Sequence, residues 1–154
     1  MRWEANYVRI EWIEFTNLET GLRIERINFY KDITLLVGLS GVGKTQILNA
    51  VEYSLNLAVR QDIILRPYSV SMGICIDQDE YEWSYRIENI RKEFLVLESQ
   101  EKYGFVYEKL MKNGKTVFER NGNEIKVAGY DRVPQPKSDE IYFRNIRKNP
   151  ILKN

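Results

Sequence analysis

Ile33-Thr34-Leu35-Leu36-Val37-Gly38-Leu39-Ser40-Gly41-Val42-Gly43-Lys44-Thr45 is the stretch on which the reading of this chain turns. Its first five residues form a short, nearly wholly apolar run rich in branched side chains, the pattern of a strand buried on both faces. Gly38 to Thr45 then matches G-x-x-x-x-G-K-[ST] at every fixed position. Ordinary composition yields that match by chance in on the order of one chain in two hundred of this length. From Lys44 to about Val59 the period turns helical. Ile47, Leu48, Val51, Leu55 and Ala58 fall on one face, and Asn49, Glu52 and Asn56 on the other. A buried strand, a glycine loop and a helix are the context a phosphate-binding loop requires.

The residue types explain the expected chemistry. Glycines let the backbone curl so that successive N–H groups surround phosphate oxygens. A helix beginning at Lys44 adds its positive N-terminal end. Lys44 supplies a point charge for the β- and γ-phosphates, and Thr45 offers a hydroxyl to a magnesium ion bridging them. The expected cradle is Gly38, Ser40, Gly41, Val42, Gly43, Lys44, Thr45 and Gln46, and the expected cofactors are ATP and Mg²⁺. The plain alternative is a glycine turn between strand and helix that binds nothing.

On the N-terminal side, Val8, Ile10 and Trp12 alternate, then shift phase to Ile13 and Phe15, which reads as a strand with a bulge. Asn17 to Gly21 reads as a turn. Leu22 and Ile24, then Ile27 and Phe29, give a second strand, paired with the first as an antiparallel hairpin. After Pro67 the period returns to two: Val70, Met72, Ile74 and Ile76, then Tyr81, Trp83, Tyr85 and Ile87. Further strands are expected at Glu93 to Leu97, around Phe105 and Tyr107, at Val117 to Arg120 and at Glu124 to Val127. Asn113-Gly114 and Asn121-Gly122 punctuate them, and Asn-Gly is a strong local hairpin signal. The chain therefore divides into a nucleotide-binding core (1–67), an antiparallel β-subdomain (68–133) and an irregular basic tail (134–154).

Bulk properties set limits. A chain of 154 residues suits one domain, with 44% hydrophobic and 29% charged residues. Its formal net charge of +1 excludes a polycation built for nucleic acid, so any DNA contact has to come from a local patch. Arg144, Arg147, Lys148 and Lys153 offer one; with Asp131, Asp139 and Glu140 nearby, the other reading is a solvated surface. The single cysteine, Cys75, excludes an intrachain disulfide and suits a reducing cytosol. The absence of histidine excludes a catalytic histidine or His-type zinc site. No apolar run approaches the roughly 20 residues of a membrane span.

Hydrolysis needs more than a cradle: a carboxylate near magnesium and a group that orients water. Ile74-Cys75-Ile76-Asp77 is the one candidate for a strand ending in that carboxylate. Because Val70, Met72, Ile74 and Ile76 alternate with small or polar residues as in a half-exposed antiparallel strand, Gln78-Asp79-Glu80 reads as its solvated turn and Asp77 as a turn residue. Trp12, Phe15 and Phe29 are all available to stack on a base.

In order and motif the chain resembles the N-terminal lobe of ABC-type ATPase heads, as in SMC-like, overcoming-lysogenization-defect-like and AAA-labelled bacterial anti-phage defence ATPases. "VRIEWIEF" (8–15) looks like their first strand, "DITLLVGLSGVGKTQILNAVEYSL" (32–55) like their nucleotide loop and helix, and "EFLVLES" with "TVFERNG" like their β-subdomain. The fold class expected is therefore α/β, a partial P-loop NTPase head. The resemblance implies that Gln135 serves as the glutamine that touches magnesium and the attacking water, joining Lys44 as a catalytic residue and Thr45 as a metal ligand. An exposed glutamine between two prolines is the alternative. It also implies a head-to-head homodimer closing on ATP, contact with DNA or a partner nuclease, and a cytoplasmic setting. The chain departs from the pattern in lacking a Leu-Ser-Gly-Gly loop, a switch histidine and a convincing Asp-Glu strand end, and in carrying Ser40 where asparagine is usual. A second lobe or another chain would supply those parts.

Two other functions compete. A small P-loop kinase or nucleotide hydrolase requires parallel βαβ units after the loop. A non-hydrolysing nucleotide-sensing scaffold requires only the cradle.

Overall fold

A computed structural model describes residues 8–60, 63–90, 102–131 and 137. Alternating apolar and polar residues build seven strands: β1 (Val8–Asn17), β2 (Arg23–Asn28), β3 (Tyr68–Ile76), β4 (Asp79–Asn89), β5 (Tyr103–Lys112), β6 (Lys115–Asn121) and β7 (Glu124–Val127). They form one sheet in the order β2-β1-β3-β4-β5-β6-β7, and every pairing is antiparallel. The described residues contain a single α-helix, α1 (Lys44–Val59), between β2 and β3. This corrects the expected α/β class. Among the described residues, seven antiparallel strands and one helix dominate, with no parallel pair from which a P-loop α/β sheet could be built.

Register explains the division into faces, because directly opposed residues share one. One row across the sheet runs Phe15, Val70, Tyr85, Glu108 and Arg120; the next runs Ile13, Met72, Trp83, Leu110, Phe118 and Val127. All of these are buried. On the opposite face, Glu14, Ser71, Ser84, Lys109, Glu119 and Lys126 stand in register. They form a polar ladder in which Ser84 Oγ meets Ser71 Oγ at 2.9 Å and Lys109 lies 3.9 Å from Glu119. One face is core and the other is solvated, as is common for antiparallel sheets.

The buried face carries two charges. Glu108 and Arg120 are opposed in register and both fully buried. Trp83 Nε1 donates to Glu108 at 3.3 Å, and Arg120 donates to the carbonyls of Gly122 at 2.9 Å and Lys137 at 3.1 Å. Buried charges require hydrogen-bonding partners, and these contacts supply them.

The sequence expectations meet the structure unevenly. The β1–β2 hairpin forms, with an irregular register at Ile13/Phe15. Asn113 (φ 49°) and Gly114 (φ 74°) make the β5–β6 turn as Asn-Gly should. At the second Asn-Gly the turn moves one residue on: Asn121 still pairs with Glu124, so Gly122 (φ 56°) and Asn123 form the connection. The strand expected at Glu93 to Leu97 lies outside the described residues, as does the tail beyond 137.

Two expectations are overturned. Ile33 to Val37 is not a strand buried on both faces: Ile33, Leu35 and Val37 are 80–81% exposed, and no strand pairs with them among the described residues. The buried side of α1 is also rotated from the expected one. Ile47, Ala50, Ser54 and Leu57 face the core, whereas Leu48 and Leu55 are exposed. The helix sits on the sheet through Ser54, whose Oγ meets the Tyr85 hydroxyl at 2.8 Å and donates to Ala50 O at 2.7 Å. A polar residue therefore marks the centre of the contact.

Gly73 is required where β1 crosses it. A methyl group there would overlap the indole of Trp12. Gly73→Ala should lower unfolding stability by about 1–3 kcal/mol, the usual cost of overpacking, as read from the urea midpoint. Glu108→Ala should cost about 1–3 kcal/mol by removing the buried carboxylate to which Trp83 Nε1 donates, as read in the same assay.

Candidate phosphate-binding site

The loop between β2 and α1 is built from backbone. Gly41 (φ 85°) and Gly43 (φ 95°) both take left-handed conformations that an L side chain resists. Gly43 is the N-cap of α1, and no side chain caps the helix. The first helical N–H groups consequently lack the usual partner. Among the described residues, no backbone N–H from Leu39 to Gln46 donates to another backbone group; the first to do so is Ile47, to Gly43 O at 3.1 Å.

Lys44 folds back over this loop. Its Nζ donates to Gly38 O at 2.7 Å and to Leu39 O at 2.6 Å. The cation thus lies against the loop's opening residues while the loop's N–H groups stay uncommitted. Thr45, Ser40, Gly41 and Val42 are exposed, and Lys44 and Gln46 are half-buried. The structure therefore brings Gly38, Ser40, Gly41, Val42, Gly43, Lys44, Thr45 and Gln46 into one accessible curl at a helix N-terminus. Sequence reasoning missed its backing. A side chain at Gly43 would touch Ile24 of β2 at 3.4 Å, so the edge strand supports the loop from behind. Ile24 carried a signal only as one apolar position of a strand.

The other expected site residues fall elsewhere. Gln135 lies outside the described residues. Asp77 takes the turn reading: with φ 58° it begins the two-residue link between β3 and β4. Ile24 pairs with Phe15, which pairs with Val70. Asp77 is seven residues along β3 from Val70, or about 23 Å at strand rise, too far to share a metal with the loop. Asp79 is occupied in a clamp between two hairpin ends. It meets Lys112 Nζ at 2.7 Å and accepts from Asn113 Nδ2 at 2.9 Å, contacts that hold its carboxyl below the usual carboxylate range.

The aromatic candidates for base stacking also separate. Phe15 is buried edge-on against Tyr68 with centroids 5.0 Å apart. Trp12 has Arg26 over its ring at 3.7 Å and Gly73 against its indole. Phe29 is half-buried against the core. Cys75 is half-buried, with its thiol 3.5 Å from Asp77 O.

Comparison with protein-family models, curated proteins and solved structures finds no match for this chain. Among the described residues, no helix is long and apolar enough to cross a membrane, and no group of three or more His, Cys, Asp or Glu side chains is placed to hold a metal ion.

The far side of α1 is fixed by Tyr53. Its hydroxyl accepts from Arg66 N at 2.9 Å and donates to Ile64 O at 3.3 Å, tying the segment after the helix to the helix itself. Burial pushes this phenol up to about 12, against a smaller opposing effect of the bond from Arg66. The folded value lies above the ordinary tyrosine value of about 10. Its contribution to stability is therefore complete below pH 10 and is lost as pH rises through about 12. Tyr53→Phe should flatten this alkaline loss in urea melts between pH 9 and pH 12, and should remove one late-titrating phenol from the ultraviolet titration.

Proposed function

We infer that this chain binds the triphosphate of ATP with magnesium through Gly38 to Thr45. One observation carries the reading: an uncapped helix N-terminus and two left-handed glycines leave a run of N–H groups free, with the Lys44 amine held across the same loop. Free N–H donors beside a fixed cation are the chemistry a phosphate chain needs. Lys44 rests on two neutral carbonyls, which an anionic phosphate oxygen outcompetes, so ligand entry exchanges weak partners for a charge-assisted one.

The donor set fits magnesium only in part. Thr45 offers an exposed hydroxyl, and the remaining coordination falls to the phosphates and water, because no described carboxylate cluster adjoins the loop. When bound, magnesium neutralises charge on the phosphates. This chain's own residues then bind and orient the triphosphate; they do not include a described group that positions an attacking water.

The resemblance to ABC-type heads extends the proposal. In that reading, nucleotide binding governs association with a second lobe or partner chain, which completes an ATPase and acts on DNA or a partner nuclease in the cytoplasm, in an anti-phage role. A non-hydrolysing sensor is the second reading, favoured by the absence of described hydrolytic groups. The small kinase or hydrolase is disfavoured, since no βαβ unit occurs among the described residues.

Lys44→Ala should reduce binding of a fluorescent ATP analogue at least tenfold with an unchanged circular dichroism spectrum, and Thr45→Ala should weaken chiefly the magnesium-dependent part. Equal binding by wild type and Lys44→Ala would refute the assignment.

A further inference from the structure

A groove of about 480 Å³ crosses the solvated face of the sheet over β2, β1 and β3. A bulge shapes it. Between the pairs Ile13–Ile27 and Phe15–Ile24, β1 contributes only Glu14, whereas β2 contributes Glu25 and Arg26. Bulges re-aim side chains in this way, and both residues line the groove. One wall is fixed: Arg26 Cζ lies 3.7 Å from the centre of the Trp12 ring, and Arg26 Nε donates to Glu14 at 3.1 Å. The floor carries hydroxyls. Arg23 is opposed to Thr16, and Thr16 to Ser69, so these three share a row across the groove. In the next row Ser71 accepts from Ser84 at 2.9 Å, which leaves its own proton to donate.

We propose that this groove binds a small zwitterion, a free amino acid or a dipeptide, with its carboxylate on Arg23 and its ammonium on Glu25. The charges decide the class. Glu14 and Arg26 neutralise each other, whereas among the described residues the side chains of Arg23 and Glu25 make no hydrogen bond or ion pair. One cation and one anion thus flank the same groove, each open to a partner. A simple anion would gain at Arg23 and be repelled by Glu25; a simple cation would meet the reverse. A neutral polyol would use the hydroxyls and neither charge. A molecule carrying both charges answers both, and the Thr16, Ser69 and Ser71 hydroxyls add donors for its carboxylate oxygens. Size agrees. Two ladder steps from Arg23 to Ser69 span about 10 Å, which leaves room for one or two residues of extended chain. Ile24, between Arg23 and Glu25, packs on the core side of the strand and backs Gly43, so the groove and the phosphate loop lie on opposite faces.

Amide NMR of the full chain tests the assignment. Glycine and glycylglycine at millimolar concentration separate the two ligand lengths, and at least one should shift the amides of Thr16, Arg23, Glu25 and Ser69. Acetate and methylammonium, each carrying one of the two charges, should bind at least tenfold more weakly than the better zwitterion. Arg23→Gln and Glu25→Gln should each weaken zwitterion binding about tenfold. Both positions are exposed, so the rest of the spectrum should stay in place. Acetate binding as tightly as the zwitterions would overturn the proposal by making the groove a simple anion site. Absence of shifts in the wild type, or equal binding by both glutamine variants, would overturn it outright. Lys44→Ala should bind the zwitterion like wild type, so failure here and failure of nucleotide binding are read separately.

Discussion

At 2.8 Å, the hydroxyls of Tyr85 and Ser54 meet beneath α1 in a contact sealed from water on both sides. Burial pushes the Tyr85 phenol well above its ordinary value, and an unpartnered hydroxyl there would lose its hydration without return. Ser54 satisfies it while donating to Ala50 O within its own helix. The helix therefore has one rotation about its axis that serves both hydroxyls. That rotation puts Ile47, Ala50 and Leu57 against the sheet and turns Leu48 and Leu55 outward. At its start the helix is capped by Gly43, which stands against Ile24 on the edge strand.

That contact explains why the helix was legible in extent and misread in orientation. Its bounds, Lys44 to Val59, follow from the motif and the apolar period. Its face does not, because a helix with apolar residues on two sides offers two plausible stripes, and the buried one is centred on a serine. Hydropathy counts Ser54 against burial; the Tyr85 hydroxyl opposite reverses the sign. The strands were easier. Their period of two survives even through Glu108 and Arg120, whose burial in register no hydropathy pattern announces. The second Asn-Gly shows the limit of local turn signals, since pairing of Asn121 with Glu124 moved the connection one residue along.

The largest misreading came from Ile33 to Val37. A run of branched apolar residues before a glycine loop resembles the central strand of a parallel sheet, and together with the loop motif and the resemblance to ABC-type heads it led to the α/β class. Composition indicates that a segment is suited to burial, not that neighbours exist to bury it. The described residues supply none, and the run stands exposed with its hydrogen-bonding edges unused. Asp77 was ambiguous for a related reason. Residues identical in type serve as a strand-end carboxylate in one topology and as a left-handed turn in another, and only the β3–β4 pairing distinguishes them.

The phosphate reading is insulated from that change of fold class. A cradle made of peptide N–H groups needs two left-handed glycines, one uncapped helix start and one lysine within reach, all supplied within nine residues of chain. None of these depends on whether the neighbouring strands run parallel. Turnover does depend on it. A parallel neighbour ends beside the loop and can deliver a carboxylate there, whereas an antiparallel partner turns away at the far end of its ladder, as β3 does at Asp77. In the proposed reading, phosphate binding rests on this local geometry alone, whereas hydrolysis needs groups that no strand end among the described residues brings to the loop.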